Sequence, residues 1–174
     1  MSAEVYVIFG IMKVWEIPEG SRASRGKPIV NLLNLGSDEK IAAVVPVREF
    51  SEDHYLMFGT RRGIVKKTAL SAYGNVRSAG LNAINIADGD ELIEVRVTSG
   101  GDEILLASRK GMAIRFNESD ARPMGRATGG VRGLNLRDDD EVVGMVVARE
   151  DSTVLVVSEK GLGKRTSVSE YRLQ

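Results

Sequence analysis

The chain has 174 residues, 43% hydrophobic and 28% charged, with 24 basic and 24 acidic side chains that cancel at neutral pH; such a chain can bury a core and is too apolar to stay disordered. It holds no cysteine and a single histidine, His54, which excludes a disulfide framework, thiolate zinc sites, a thiol nucleophile and histidine pairs. Apolar runs are too short to cross a bilayer and the N-terminus lacks the pattern of a secretory signal, so a soluble protein of the cytoplasm with no membrane contact is expected.

In chain order, VIFGIMKVWEI reads as a shortened opening repeat, in which one apolar strand follows another almost at once. From Ile41 the pattern becomes regular: a strand at 41–47, an acidic turn, a strand at 55–58, the basic turn Thr60-Arg61-Arg62-Gly63, a strand at 64–68, a long polar loop and a fourth strand at 81–86. The next round gives 92–97, 104–107, 112–116 and 131–136, and a partial round starts at Val142. Gly63, Gly111 and Gly161 stand 48 and 50 residues apart, and the pairs Asn34-Leu35, Asn85-Ile86 and Asn135-Leu136 stand 51 and 50 apart. Two independent anchors thus give one period.

Four short strands per roughly 50 residues predict an all-β, propeller-like array of four-stranded blades. About 3.5 repeats are expected in one domain over 1–174, at 1–40 (partial), 41–91, 92–141 and 142–174 (partial). No segment keeps helical spacing; 119–124 allows at most a short turn, because Pro123 removes a backbone donor.

Each basic turn ends on a glycine where a type I turn with a bulge needs positive φ, so Gly63, Gly111 and Gly161 are backbone requirements first. Cations gather around them: Arg61, Arg62, Lys66, Lys67 and Arg77, then Arg109, Lys110 and Arg115, then Lys160, Lys164 and Arg165, with Arg122, Arg126 and Arg132 in a long loop. One such turn is ordinarily a solvated hairpin end. Repeated blade by blade, the cations are expected to share one rim, with the acidic turns at another level, and to suit duplex DNA, whose phosphates supply about one charge per 1.7 Å. The alternative is a protein-interaction disc whose charged levels dock a partner.

Other motifs carry less. Gly161-Leu-Gly-Lys164-Arg-Thr166 echoes a phosphate loop but has Ser158 where the first glycine belongs and Arg165 where Ser or Thr is required. Asp138-Asp139-Asp140-Glu141 reads as a solvated turn rather than a cation site, and Trp15 as interior filling rather than a base-stacking platform.

The phrases EIPEGSRASRGKPIVNLL, PVREF, RRGIVKKTALSAY, LLASRKGMAIRFNESDARPMGRATGGVRGLNL and EKGLGKRTSVSEYRLQ resemble the C-terminal β-pinwheel domain of the A subunit of bacterial DNA gyrase, a type II topoisomerase, more than its topoisomerase IV relative. The resemblance implies a disc, six-bladed when complete, that bends and wraps duplex DNA without reading sequence and so supports ATP-dependent negative supercoiling. It also implies two protein partners, the gyrase A cleavage domain and the gyrase B subunit. This chain departs from the family in having fewer blades and in lacking the box Gln-Arg-Arg-Gly-Gly-Lys-Gly, of which Thr128-Gly129-Gly130-Val131-Arg132-Gly133 is a partial echo. Tyr6, Tyr55, Tyr73 and Tyr171 all stand outside the arginine-tyrosine context of a cleavage tyrosine. No enzyme activity of its own, no cofactor and no metal is expected, and partial blades at both ends predict self-association through open strand edges.

Overall fold

The computed structural model describes residues 5–28, 31–33, 41–75 and 80–174, with 5–9 described by their backbone. The strands, in chain order, are β1 (Val5–Phe9), β2 (Tyr55–Thr60), β3 (Ile64–Ala69), β4 (Leu81–Ile86), β5 (Leu92–Thr98), β6 (Glu103–Ser108), β7 (Ala113–Asn117), β8 (Val131–Arg132), β9 (Val142–Ala148), β10 (Thr153–Val157) and β11 (Gly163–Ser167). The architecture is all-β, as expected, and the third-to-fourth-strand loops carry short 3-10 turns at Leu70–Tyr73 and Glu118–Asp120, with a third at Val168–Glu170.

The strands of one repeat do not form one sheet. Sheet orders are β1-β4, β5-β2-β3-β8, β7-β6-β9 and β10-β11, with every strand pairing antiparallel. A repeat keeps only its central hairpin, such as β2-β3, and lends its first and fourth strands to the sheet of the preceding hairpin. The expected fourth strand at 81–86 therefore pairs with β1, not with β3. Periodicity counts strands per repeat but does not say across which seam they bond.

Residues 41–47 are a second departure: they form no strand. Their exposure still alternates, and Ala43, Val45 and Val47 pack on the first core cluster, so the apolar face is used without a ladder. Pro46 has no N–H to give to one. β8 is also shorter than the expected 131–136, because the N–H groups of Gly133 and Leu134 both turn to the Gly63 carbonyl, at 2.8 and 3.1 Å.

Alternate side chains of a strand face different cores. In β2, Leu56 and Phe58 join Leu70, Tyr73 and Ile84 in one cluster, while Met57 joins Val65, Ile104, Leu106 and Met145 in the next. In β6 the other face supplies Leu105 to a third cluster with Ala148 and Val168. The β2-β3 and β6-β7 hairpins are thus covered on both faces, whereas β10-β11 is largely exposed. Truncating a buried side chain such as Ile104 to alanine in a layer of this kind costs about 2–5 kcal/mol.

Candidate nucleic-acid interface

Two backbone features build each hairpin end. Gly63, Gly111 and Gly161 have φ of 81°, 86° and 79°, and the pairing register shifts between Gly59 and Thr60 and between Ala107 and Ser108, next to the first two ends. The acidic turns before the second strands, at Glu52-Asp53 and Asp102-Glu103, lie at the opposite ends of the hairpins, at another level as expected from the sequence, but those before the first strands, at Asp88 to Glu91 and Asp138 to Glu141, lie against these ends. Asp90 Oδ1 accepts from the N–H groups of Arg62 (2.9 Å) and Glu91 (2.8 Å), and Asp140 Oδ1 from those of Lys110 (3.0 Å) and Glu141 (2.9 Å). Burial opposes ionisation of Asp140, yet the Ser108 hydroxyl and these N–H groups hold its carboxyl below the ordinary range. The carboxylate is a structural acceptor that pins a turn 30 residues earlier in the chain.

Contacts link the three ends in a row. Val142 N–H donates to Arg61 O and Arg109 N–H to Glu141 O, both at 2.8 Å. Arg109 also pairs with Glu141 at 3.1 Å and with Glu159, on the third end, at 2.9 Å, while Arg61 faces Glu91 at 3.5 Å. The row is therefore partly self-neutralised. Arg61, Arg62, Arg109, Lys110 and Lys160 stand on it together, but Asp88, Asp90, Glu91, Asp138, Asp139, Asp140, Glu141 and Glu159 are interleaved with them.

Three residues expected among the DNA-contacting cations lie inside the protein. Lys66, Lys67 and Arg115 are buried, because both faces of their hairpins are covered, so strand alternation gives them no outward side. Lys67 Nζ meets Glu118 Oε2 at 2.8 Å, and Glu118 also accepts from Thr98 Oγ1 and from the N–H groups of Gly100 and Asp102. At the equivalent place in the next repeat, Arg115 pairs with Glu103 and donates to the Val168 and Tyr171 carbonyls at 3.1 Å. Lys66 Nζ donates to the Ala83 carbonyl at 2.7 Å and to that of Arg126; burial lowers its pKa to about 8. These cations hold neighbouring repeats together and are not available to phosphates. Arg77 lies outside the described residues.

The cations of the long loop are presented differently. From Ala121 to Leu136 the chain has Arg122, Arg126 and Arg132 and no acid. This segment runs along β3 and is fixed by its backbone. Pro123 bridges Lys67, Met124 N–H donates to Lys67 O at 2.8 Å, Asn85 N–H donates to Thr128 O at 3.1 Å, and β8 pairs Val131 with Val65 and Arg132 with Ile64. Gly130, at φ 89°, lies so close to β3 that a Cβ there would stand 2.5 Å from the Val65 carbonyl oxygen. The backbone bonds turn the arginines away from the sheet: Arg122 and Arg132 are exposed and Arg126 is half-buried. Among the described residues none of the three has a carboxylate within 4.0 Å. Arg132 also lines an open groove of about 340 Å³ with Arg62, Ile64, Asp90, Leu134 and Asn135, where the loop meets the first hairpin end.

Sequence reasoning missed Arg172. It stands 50 residues after Arg122 and is exposed, and the next residues repeat the same docking: Leu173 bridges Arg115 and Gln174 N–H donates to Arg115 O at 2.9 Å. The signal was the recurring Ser-acid-x-Arg of Ser119-Asp120-Ala121-Arg122 and Ser169-Glu170-Tyr171-Arg172. Lys164 and Arg165 lie exposed on β11, which pairs only with β10 among the described residues. The phosphate-loop echo ending at Thr166 falls on this hairpin and opens no α-helix.

Tyr73 is buried, donates to the Ala83 carbonyl at 3.2 Å and has its pKa raised to about 12 by burial. Its phenol is a packing group. Among the described residues no helix is long and apolar enough to cross a membrane.

Comparison with known proteins gives one answer by sequence and by shape. A family model described as DNA gyrase C-terminal domain, beta-propeller, matches residues 11–48, 54–99, 102–149 and 152–174. The DNA gyrase A protein of Halalkalibacterium halodurans is 51% identical over 119 residues, and that of Escherichia coli 50% over 119, each match covering 68% of this chain and 14% of the relative. The chain thus spans a small part of the length of these relatives. Among solved structures, a C-terminal domain of DNA topoisomerase IV superposes with a TM-score of 0.82 at 31% identity, over 92% of this chain and 50% of that one. A DNA gyrase A C-terminal domain gives 0.75 at 30% identity, over 83% and 48%. The strand order, the repeated hairpin ends and these matches agree: the chain belongs to the DNA gyrase C-terminal domain, beta-propeller, family.

Proposed function

We propose that this chain binds the backbone of duplex DNA along the arginine-bearing edge formed by residues 121–136, and that it serves as the DNA-wrapping part of a gyrase A protein in the bacterial cytoplasm. The observation that carries this reading is the acid-free run with Arg122, Arg126 and Arg132, held to β3 by its own backbone and free of carboxylate partners among the described residues. A fixed backbone lowers the ordering cost of binding. Contacts from arginine to phosphate position DNA without reading bases, so binding is sequence-tolerant.

Exposed Arg172, Lys164 and Arg165 extend the same role to the next sheets. Bending a few tens of base pairs costs on the order of several kcal/mol, which a series of such contacts offsets. In the whole enzyme the bent segment is passed to the cleavage domain, with the gyrase B subunit supplying ATP hydrolysis.

Equilibrium binding to two duplexes of unrelated sequence tests the reading. Equal affinities that fall with added salt at a log-log slope of about −4 to −6 support it, at about −0.9 per neutralised phosphate. Salt-independent affinity, or none at low salt, overturns it.

A further inference from the structure

The charges along residues 121–141 are not mixed but divided. Arg122, Arg126, Arg132 and Arg137 occupy the first part without an acid, and Asp138, Asp139, Asp140 and Glu141 follow without a break. The division falls where the chain leaves the edge of the second sheet and reaches the second hairpin end, at which Lys110 Nζ donates to the Asp138 carbonyl at 3.0 Å. Along the row of ends, Arg61 and Arg62 meet Asp88, Asp90 and Glu91, and Arg109 and Lys110 meet Asp138, Asp140 and Glu141. Carboxylates therefore outnumber cations at both ends. On the third end the first cation is itself replaced, since Glu159 stands where the earlier repeats have Arg61 and Arg109, and it engages Arg109.

We propose that this row of hairpin ends is an electrostatic fence that confines duplex DNA to the arginine edge. The inference rests on the DNA-binding reading above and adds a function for the acidic turns. Asp90 and Asp140 pin the turns through backbone N–H groups, so folding accounts for them. Backbone conformation accounts for Asp139, whose φ of 59° suits aspartate better than most side chains, but not for Asp138 and Glu159: Asp138 is exposed and Glu159 makes an exposed ion pair, a kind of contact that adds little to stability. Their shared property is negative charge beside the path of a polyanion. Within a Debye length of about 8–10 Å, carboxylates repel phosphate and leave the edge as the favoured track.

The chain has no cysteine, so a single introduced thiol carries a photo-crosslinker at one known place. Ala127→Cys reports the edge and Leu162→Cys, on the third hairpin end, reports the fence; both sites are exposed. Each is made in the otherwise unchanged chain and in a chain with Asp138→Asn, Asp139→Asn and Glu159→Gln. Asparagine is well suited to the positive φ of 59° at position 139, and circular dichroism melting checks that the variant folds.

With random duplex DNA at low salt, the edge probe should crosslink in both backgrounds. The fence probe should crosslink weakly in the unchanged chain and roughly tenfold more in the neutralised one. Equal crosslinking from the fence probe in both backgrounds, with the edge probe active, overturns the fence and leaves DNA binding standing. Silence of the edge probe in both backgrounds overturns the DNA path along the edge, and the fence with it.

Discussion

Lys66 shows how a residue can be conspicuous in sequence and misread there. Its ammonium lies in the interior on the carbonyls of Ala83 and Arg126, with the Phe58 ring 5.8 Å away. Two adjacent lysines on a strand suggest one facing out by alternation; both are buried because each face of β3 is covered, and only the partners across the seam, Glu118 and the Arg126 carbonyl, reveal why. The pH dependence of stability follows from two buried groups. Burial lowers the Lys66 pKa from 10.5 to about 8, so between those values the unfolded chain binds more protons and stability rises with pH. Burial raises the Tyr73 pKa from 10.0 to about 12, so above pH 10 the unfolded chain loses a proton that the folded one keeps, and stability falls. Each contribution is at most about 1.4 kcal/mol per pH unit. Urea unfolding of Lys66→Met should therefore lack the rise above pH 8 seen in the parent; an unchanged rise would mean that Lys66 folds with its ordinary pKa. Glu118→Ala, which strands Lys67 and three other donors, should cost about 3–5 kcal/mol by the same measurement, and a loss under about 1 kcal/mol would contradict the pairing.

At the scale of the element, the central hairpins were legible and their neighbours were not. Turn glycines and apolar alternation are local signals, and they placed β2, β3, β6 and β7 to within two residues. Where β4 and β8 pair is a long-range choice between two equally apolar edges, and no spacing within one repeat records it. The 3-10 turns left a fainter mark in Ser71, Ser119 and Ser169, at the same 48- and 50-residue steps as the glycines. The glycines separate two kinds of constraint. Gly111 has φ 86° with open space around it, so Gly111→Ala should cost about 1–2 kcal/mol from backbone strain alone. Gly130 adds the collision with the Val65 carbonyl, so Gly130→Ala should cost at least about 1 kcal/mol more and should also weaken DNA binding, by moving the segment that carries Arg126 and Arg132. Equal costs for the two substitutions in chemical denaturation would argue against the close seating of that loop on β3.

For the whole molecule, charge was readable as composition and not as a surface. A net charge of zero hides a division between an edge with arginines alone and a row of hairpin ends where acids and bases interleave. The sequence shows which segments hold the cations, but the turns at Asp88 to Glu91 and Asp138 to Glu141 come beside the ends only because each repeat lends its first strand to the sheet before it. That lending brings Asp90 to Arg62 and Asp140 to Lys110. The same topology makes neighbouring repeats interdependent, since cations in one hairpin anchor the turn of the next. The most direct measurement of DNA binding along the edge is the salt dependence of affinity for random duplex, compared between the parent chain and an Arg122→Ala, Arg126→Ala, Arg132→Ala variant. The log-log slope should move toward zero by about 3, near 0.9 for each lost phosphate contact; a variant that folds and keeps the parent slope would place the DNA elsewhere on the molecule.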